Sequence, residues 1–156
     1  MTSIDSVQFR EASAADVPAM MLCHLTDPTS SAADPRMAVY LDGHHHPQKA
    51  LPPRIAYVAL VNGEVIGYIA GHRTTRHECA GEVQYLFVSP TFRRGGIATH
   101  LLRLLAAWFQ SQGADKVCVG VADDSPQEAQ PFYKSVGASA FKKYWYAWED
   151  IGTLLS

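Results

Sequence analysis

The sequence predicts a mixed α/β fold (α+β in its mixed sheet), in which flanking helices cover a central sheet of six to seven strands. Two strand-like runs, 55–61 and 64–72, meet at Asn62-Gly63, the strongest short signal for an antiparallel hairpin. Farther along, a strand-like run at 82–88 leads through a turn into an apolar helix, and a second apolar run follows at 116–121. A strand–helix–strand unit forms a right-handed crossover between parallel strands, so both kinds of pairing are expected in one sheet.

The other elements are bounded by caps, prolines and glycines. Ser13, with Asp16 three residues later, has the spacing of a capping box, and Gly113 has the place of a left-handed helix end. Ser125-Pro126-Gln127-Glu128 is typical of a helix start. In chain order we expect a strand at 7–10, a helix at 14–25, a short helix at 35–41, a segment without regular structure at 42–53, a helix from Ser125 to near Gly137, and a strand at 141–148.

Composition favours one globular domain over residues 1–156 and excludes several classes of protein. The formal net charge is −2, so no nucleic-acid partner is expected. No apolar run has membrane-spanning length, and the first residues lack the pattern of a signal peptide, so no membrane partner is expected. The cysteines, Cys23, Cys79 and Cys118, fit neither a disulfide framework nor a zinc site. A reducing, cytoplasmic location is therefore expected.

The turn before the long helix carries two arginines and two glycines, Arg93-Arg94-Gly95-Gly96. The first N–H groups of a helix have no partner within it, and with the positive end of the dipole they form an anion site. Glycine lets a phosphate approach the backbone closely, and arginine adds charge-assisted donors. A plain strand–helix turn that happens to hold these residues is the alternative. The helix is expected to bury one face, formed by Ile97, Leu101, Leu104 and Trp108.

The run Arg93-Arg94-Gly95-Gly96-Ile97-Ala98 resembles the pyrophosphate-binding signature of the GNAT superfamily of N-acetyltransferases. That signature reads Gln or Arg, two variable residues, Gly, one variable residue, then Gly or Ala. The preceding strand, the following helix and the order of elements are also similar to the family. The resemblance implies the GNAT acyl-CoA N-acyltransferase fold with a splayed parallel strand pair, and acetyl-CoA as the acyl donor and cosubstrate, with no metal. It places the phosphates on Arg93, Arg94, Gly95, Gly96, Ile97, Ala98 and Thr99.

The resemblance also assigns a role to the end of the strand at 82–88. In similar proteins this strand bulges and splays from its parallel neighbour, which frees backbone groups to pair with the pantetheine arm. Leu86, Phe87 and Val88 would hold the cofactor in this way, and an amide there would stabilise the oxyanion. Without the resemblance this is an ordinary strand end.

Tyr133 is the candidate general acid, because a phenol at the cofactor cleft can give a proton to the departing thiolate. The run from Ala129 to Gly137 resembles the family pattern Ala-x-x-Phe-Tyr-x-x-x-Gly. Two features depart from it: Asp124-Ser125-Pro126 stands where an Asn is usual, and Pro131 lies inside the helix. Without the resemblance, a Tyr beside a Phe on a helix is typical of a core position.

Glu82 is the candidate general base, since an ammonium must lose a proton before it can attack. Several members of the family place a carboxylate at this point, and an exposed glutamate at a strand end is the alternative. His72, His77 and Cys79 on the preceding connection are weaker candidates for a base or for a substrate contact.

The run His44-His45-His46 has three possible interpretations: a metal site, a polar lid over the acceptor, or a solvated loop. Adjacent residues of an extended chain point in alternate directions, and no acidic or thiol partner has useful spacing, so a metal site is disfavoured. In the family, the region corresponding to 26–53 selects the substrate.

The sequence therefore predicts an enzyme that transfers an acetyl group from acetyl-CoA to a primary amine by direct attack through a tetrahedral intermediate. The acceptor is expected to be a small-molecule or peptide amine. One alternative is a non-catalytic acyl-CoA-binding module of the same fold, and another is a metal-dependent hydrolase built on the histidines. The aromatic run Tyr144-Trp145-Tyr146-Ala147-Trp148 suggests a homodimer.

Overall fold

The computed structural model describes residues 3–27, 33–121 and 129–156. Its strands are β1 (Gln8–Glu11), β2 (Ala50–Val61), β3 (Glu64–Thr74), β4 (Gly81–Val88), β5 (Val117–Gly120), β6 (Ser139–Lys142) and β7 (Trp145–Trp148). Its α-helices are α1 (Val17–Leu22), α2 (Met37–Leu41), α3 (Ile97–Ser111) and α4 (Ala129–Ser135). Short 3₁₀ turns lie at Ile4–Ser6, Ala14–Asp16, Cys23–Thr26, Arg76–Glu78, Pro90–Phe92 and Ile151–Leu155.

The seven strands form one mixed sheet with the order β1-β2-β3-β4-β5-β7-β6. β4 and β5 pair in parallel, as the strand–helix–strand pattern predicts, and the other neighbouring strands pair antiparallel. The mixed α/β fold class with a parallel pair and flanking helices is therefore confirmed.

The predicted β2–β3 hairpin forms at Asn62-Gly63, where Val61 pairs with Glu64. Asn62 has φ 52° and Gly63 has φ 79°. Positive φ at both central residues matches the right-handed twist of the flanking strands, which explains why this dipeptide is so strong a hairpin signal.

The prediction that 42–53 lacks regular structure is wrong at its end, because β2 begins at Ala50. Leu51 pairs with Arg73 and Arg54 pairs with His72, so the register is irregular over the two prolines between them. A proline cannot donate to a ladder, and an irregular register is where a strand tolerates it.

The buried face of α3 differs from the predicted one. Leu104 and Trp108 are only half-buried, whereas Leu101, Leu105 and Phe109 are fully buried against the sheet. The helix has a wide apolar stripe, and the predicted positions lie along one edge of it. The complete buried face consists of Ile97, Leu101, Leu102, Leu105, Ala106 and Phe109.

The first helix is shorter than predicted, because only Val17–Leu22 is α-helical and 3₁₀ turns precede and follow it. Pro18 lacks the N–H that would reach back to the carbonyl of Ala14, so the first turn is not α-helical. The expected capping interaction is present, since the Ser13 N–H donates to the Asp16 carboxylate at 2.9 Å.

The predicted strand at 141–148 is a hairpin, β6 and β7, that turns at Lys143-Tyr144. Tyr144 has φ 70°, a conformation that the residue type does not signal. Tyr146 and Trp148 are buried within the chain, whereas Tyr144 of the same aromatic run is 38% exposed, and the homodimer stays a prediction. The predicted helix start at 125–128 lies outside the described residues. The predicted left-handed helix end at Gly113 (φ 72°) is confirmed, and Gly137, near which the last helix was expected to end, also has a positive φ of 94°.

The sheet separates two cores. One contains the buried residues of α3, the inward side chains of β4 and β5, and Tyr133 of α4. The other lies against α1 and α2 and includes Met20, Met37 and Phe87. Over the described ranges, no helix combines the length and apolar character needed to cross a membrane.

Candidate active site at the parting of β4 and β5

The two parallel strands part after a short paired stretch. β5 pairs with β4 only from Gly81 to Val83, whereas β4 continues to Val88. On the other side of β4, Ala70 pairs with Tyr85 and Gly71 with Val83, so Gln84 is an extra, bulged residue. A bulge bends a strand and increases its twist. The bulge and the end of parallel pairing therefore coincide at the position where the splay was expected.

The segment Leu86 to Val88, expected to contact the pantetheine arm, is the part of β4 beyond the paired stretch. Leu86 packs against the α3 core and Phe87 faces α1. The Val88 carbonyl accepts a hydrogen bond from Arg93 Nε at 2.7 Å. This carbonyl is thus already engaged within the protein, while the strand edge toward β5 carries no strand pairing in the described part of the chain.

The turn after β4 leads into α3 through residues with positive φ. Arg94 has φ 68° and Gly96, the residue before the helix, has φ 86°. Within the described residues, no backbone N–H from Arg94 to Thr99 donates a hydrogen bond, and the first helical bond runs from His100 to the Gly96 carbonyl at 2.9 Å. Six successive free N–H groups at the positive end of a 15-residue helix are suited to an anion.

The two arginines of this turn have opposite environments. Arg94 is exposed. The Arg93 guanidinium points inward. Its Nη2 donates to the Asp27 carboxylate at 2.9 Å, and its Nε donates to the Val88 carbonyl. The Asp27 residue is only 5% exposed. Arg93 therefore connects the turn to β4 and to the end of the first helical segment, and Arg94 is the exposed arginine of the pair.

Glu82, the candidate base, is 4% exposed and faces away from α3. Its Oε1 lies 3.7 Å from His72 Nε2, and His72 is fully buried. The other ring nitrogen, His72 Nδ1, is 2.8 Å from the hydroxyl of Tyr40 on α2. Burial raises the pKa of Tyr40, which keeps it a phenol. Glu82, His72 and Tyr40 thus form one buried polar chain from β4 across β3 to α2.

Four buried side-chain polar atoms have no hydrogen-bond partner among the described residues, and all four lie between residues 72 and 84. They are His72 Nε2, His77 Nε2, Glu82 Oε1 and Gln84 Oε1. Buried polar groups are nearly always hydrogen-bonded, and an unsatisfied one costs roughly 1–3 kcal/mol. The strand–turn–strand unit of β3 and β4 is therefore where a polar ligand or water would complete the hydrogen bonding.

The turn between β3 and β4 brings a positive charge to Glu82. Arg76 Nη1 lies 3.6 Å from Glu82 Oε2, and the guanidinium lies over the Trp145 ring, 4.3 Å from its centroid. His77 and Glu78 have φ 53° and 61°, a left-handed conformation that costs roughly 1–2 kcal/mol per residue. This strained turn holds Arg76 against Glu82.

The ring of His77 lies against Trp145, with 4.4 Å between ring centroids, and also contacts Phe141. Burial, with the nearby charges of Lys142 and Arg76, lowers the pKa of His77. A neutral His77 leaves Arg76 and Lys142 as the sources of positive charge on this side of the site.

Tyr133, the candidate acid, lies on the other face of the sheet from Glu82. It is 7% exposed and packs in the α3 core, with its ring 6.0 Å from Trp148 and 6.4 Å from Tyr146. Burial raises the pKa of its hydroxyl. The ring of Tyr133 thus contacts Tyr146 and Trp148 of β7, and the two candidates lie on opposite faces of the sheet.

Arg54 holds the histidine run in place through the His45 carbonyl and the His46 ring. Arg54 Nη1 donates to the carbonyls of Tyr40 at 2.9 Å and His45 at 2.7 Å, and Arg54 Nη2 lies 2.7 Å from His46 Nδ1. In the described ranges, no group of three or more His, Cys, Asp or Glu side chains has the geometry to hold a metal ion.

The three thiols are buried and weakly acidic. Burial raises the pKa of Cys23 to about 11 and also raises the pKa values of Cys79 and Cys118. A nucleophilic or basic cysteine needs a lowered pKa and access to solvent, so Cys79 loses support as a base.

Sequence reasoning missed Tyr40, Arg76 and Asp27, which surround the site from three distant segments. Nothing local marks Tyr40 or Asp27, because their partners lie 32 and 66 residues away in the chain. The sequence marks the connection after β3 as polar, but only the fold shows that its Arg76 lies next to Glu82.

Comparison with known proteins agrees with this architecture. A model of the Acetyltransferase (GNAT) family matches residues 20–138. The chain is similar to a GNAT-family acetyltransferase from Staphylococcus aureus Mu50, with 16% identity and a TM-score of 0.72 over 90% of this chain and 97% of that one. It is similar to Ard1 from Thermoplasma volcanium (23%, 0.67, over 91% and 95%). It is also similar to Arabidopsis thaliana NAA60 in complex with a bisubstrate analogue (14%, 0.68, over 91% and 97%). At these identities the structural likeness shows the fold alone.

Proposed function

Because the chain belongs to the GNAT family of acetyltransferases, we propose that it transfers the acetyl group of acetyl-CoA to the nitrogen of a primary amine. One observation carries the proposal: the parting of β4 and β5 leads directly into the free N–H groups from Arg94 to Thr99. A strand edge without a partner followed by free N–H groups at a helix start suits an extended amide-containing arm that ends in phosphates.

The residues divide the binding of acetyl-CoA between them. Leu86, Phe87 and Val88 offer main-chain groups to the pantetheine arm, and Gly95, Gly96, Ile97, Ala98 and Thr99 offer N–H groups to the phosphates. Arg94 adds a charged donor, while Arg93 fixes the turn from within. An amide of β4 beyond the bulge stabilises the oxyanion that forms on the thioester carbonyl.

An ammonium acceptor loses two protons on its way to an amide: the first leaves before the attack, and the second leaves the tetrahedral intermediate and restores the Tyr133 proton through solvent. The departing sulfur gains one proton. Glu82 accepts the amine proton through a water, because its Oε1 is buried and has no partner in the described part of the chain. The nitrogen attacks the thioester carbon, the tetrahedral intermediate collapses, and the carbon–sulfur bond breaks. Tyr133 gives its proton to the departing thiolate.

Calorimetric titration with acetyl-CoA tests the binding half of the proposal. We expect Arg94→Ala to weaken binding about tenfold or more, since one charge-assisted hydrogen bond is worth roughly 1.5–3 kcal/mol. Gly96→Glu should weaken it further, because it places a negative charge and a side chain with φ 86° at the helix start. Arg103→Ala, which changes an exposed position of the same helix, is the control. Failure of the unaltered protein to bind acetyl-CoA or any longer acyl-CoA would overturn the proposal.

Steady-state kinetics of Glu82→Gln tests the catalytic half. We expect kcat to fall by about 10²-fold or more, because the amide keeps the shape of the side chain but cannot take a proton. Acetyl-CoA affinity should stay unchanged in the variant. An unaltered kcat would remove Glu82 from the mechanism.

The alternative of a non-catalytic acyl-CoA-binding module draws support from one observation, the burial of Tyr133 within the aromatic core. A tyrosine in that setting is also an ordinary core residue. Acetyl-CoA binding without transfer to any amine of a broad panel would favour this alternative.

A further inference from the structure

We propose that Arg76 binds a carboxylate of the acceptor, and that the acceptor is therefore a free α-amino acid, whose amine lies next to a carboxylate. The inference rests on the proposed function, because it names the substrate class of the same site. It deals with residues that the acetyl-CoA cradle and the candidate acid and base leave unexplained.

The first step is the position of the acceptor amine. Glu82 Oε1 and Gln84 Oε1 are two buried acceptor atoms that lie two residues apart on the bulged strand, and neither has a donor among the described residues. The His72 Nε2 atom is 3.7 Å from Glu82 Oε1, too far for a normal hydrogen bond. An amine or ammonium group carries N–H donors that match these atoms, and Gln84 lies at the bulge where the parallel strands part.

The second step is the state of Arg76. Its guanidinium makes no hydrogen bond with the described residues; its contacts are the loose 3.6 Å pairing with Glu82 and the stacking on Trp145. Its side chain is 26% exposed. A guanidinium that lies over an indole ring can still donate from its N–H edge, and that edge matches a carboxylate in a two-bond fork.

The third step is the distance between the charges. Glu82 Oε2 and Arg76 Nη1 are 3.6 Å apart, so one small ligand that contacts both must carry its own opposite charges equally close together. An α-amino acid does so, because its ammonium and carboxylate share one carbon atom. The ammonium faces Glu82 and the carboxylate faces Arg76, so each charge of the ligand lies next to an opposite charge of the protein.

A peptide N-terminus fits this arrangement less well. Its first carbonyl belongs to a neutral amide, which can accept one hydrogen bond but offers no charge to Arg76. Peptide acceptors are accordingly an outcome that the test distinguishes.

The test compares matched acceptors in an acetyl-transfer assay: the common free amino acids, their carboxamides, and short peptides that begin with the same residues. We expect kcat/KM for the preferred amino acid to exceed that of its carboxamide at least tenfold. The amine of the carboxamide is less basic, so a larger fraction of it is neutral and able to attack. Without binding of the carboxylate, the carboxamide would therefore be the better acceptor, which makes the comparison stringent.

Variants of Arg76 locate the effect. In Arg76→Gln the KM for the amino acid should rise at least tenfold with a much smaller change in kcat, and Arg76→Lys should restore part of it. The KM for the carboxamide should be the same in all three proteins. Arg103→Gln is the control, and acetyl-CoA titration of each variant shows that the donor site is intact. A purely structural Arg76 would instead change both acceptors equally.

The outcomes separate the two proposals. Equal use of amino acids and carboxamides, a preference for peptides, or acetyl-CoA binding with no free amino acid acetylated would overturn the inference and leave the donor site standing. Absence of acetyl-CoA binding would overturn the proposed function, and the acceptor assignment with it.

Discussion

Tyr133 shows how one side chain can satisfy a core and still be a candidate for chemistry. Its ring packs against Trp148 and Tyr146, and burial raises the pKa of its hydroxyl. A raised pKa keeps the phenol protonated across the neutral and alkaline range, so the proton is present whenever a thiolate departs. It also makes the phenol a weaker acid, and the balance between these effects is open to measurement.

We expect Tyr133→Phe to lower kcat by about 10²-fold or more while the dissociation constant of acetyl-CoA stays unchanged, because only the hydroxyl is removed. Tyr57→Phe, which removes the hydroxyl of a half-buried tyrosine on β2, is the control. Rates equal to those of the unaltered protein would show that another group, or water, protonates the thiolate.

The glycine turn before α3 holds two arginines with different environments, one that packs inside the protein and one that faces solvent. Arg93 stabilises the turn through Val88 and the buried Asp27, whereas Arg94 is exposed beside free N–H groups. Sequence reasoning treated the two arginines alike, since neighbouring residues of one type look equivalent until the backbone gives them directions.

We expect Arg93→Ala to lower the free energy of unfolding by roughly 3 kcal/mol, because it removes the charged partner of a carboxylate that is almost fully buried. Arg94→Ala should change it by less than about 0.5 kcal/mol, as surface substitutions usually do. Urea unfolding of both variants measures the contrast. Equal losses would contradict the division of roles.

Elements with strong local signals could be predicted from the sequence, and elements set by distant contacts could not. Asn62-Gly63 determines its hairpin, and the strand–turn–helix unit predicts a parallel neighbour. The β6–β7 turn has no Asn-Gly or similar signal. Its Tyr144 takes a positive φ, which a tyrosine side chain disfavours. β2 includes Pro52 and Pro53 because the irregular register there makes no demand on their missing donors.

The same distinction applies to the candidate site. The proposed phosphate cradle rests on a local motif, Arg93 to Thr99, and the turn and helix start that the motif predicts are both present. The polar chain of Tyr40, His72 and Glu82 joins three elements across 42 residues of sequence, and only the strand register brings it together.

At the scale of the whole molecule, binding of the proposed ligand adds to the free energy of unfolding. A ligand that binds only the folded state at a hundred times its dissociation constant adds about 2.7 kcal/mol to stability. For a chain of this size that corresponds to a rise in Tm of roughly 5–10 °C.

We therefore expect acetyl-CoA to raise Tm by that amount, and we expect the rise to shrink in Arg94→Ala at the same concentration. Differential scanning calorimetry with and without acetyl-CoA gives the comparison, and an amine without the cofactor should produce no comparable shift. A Tm that does not respond to saturating acetyl-CoA would argue against a preformed donor site.

The parting of β4 from β5 has a consequence for how such a protein can diversify. The surface proposed for the acyl donor consists mainly of main-chain groups, which every amino acid supplies, so most substitutions along Leu86 to Val88 leave its hydrogen bonding intact. The surface proposed for the acceptor consists of side chains, and replacing Arg76 or Gln84 alone alters what it recognises. Donor use is thus robust to mutation, and acceptor choice can change in single steps.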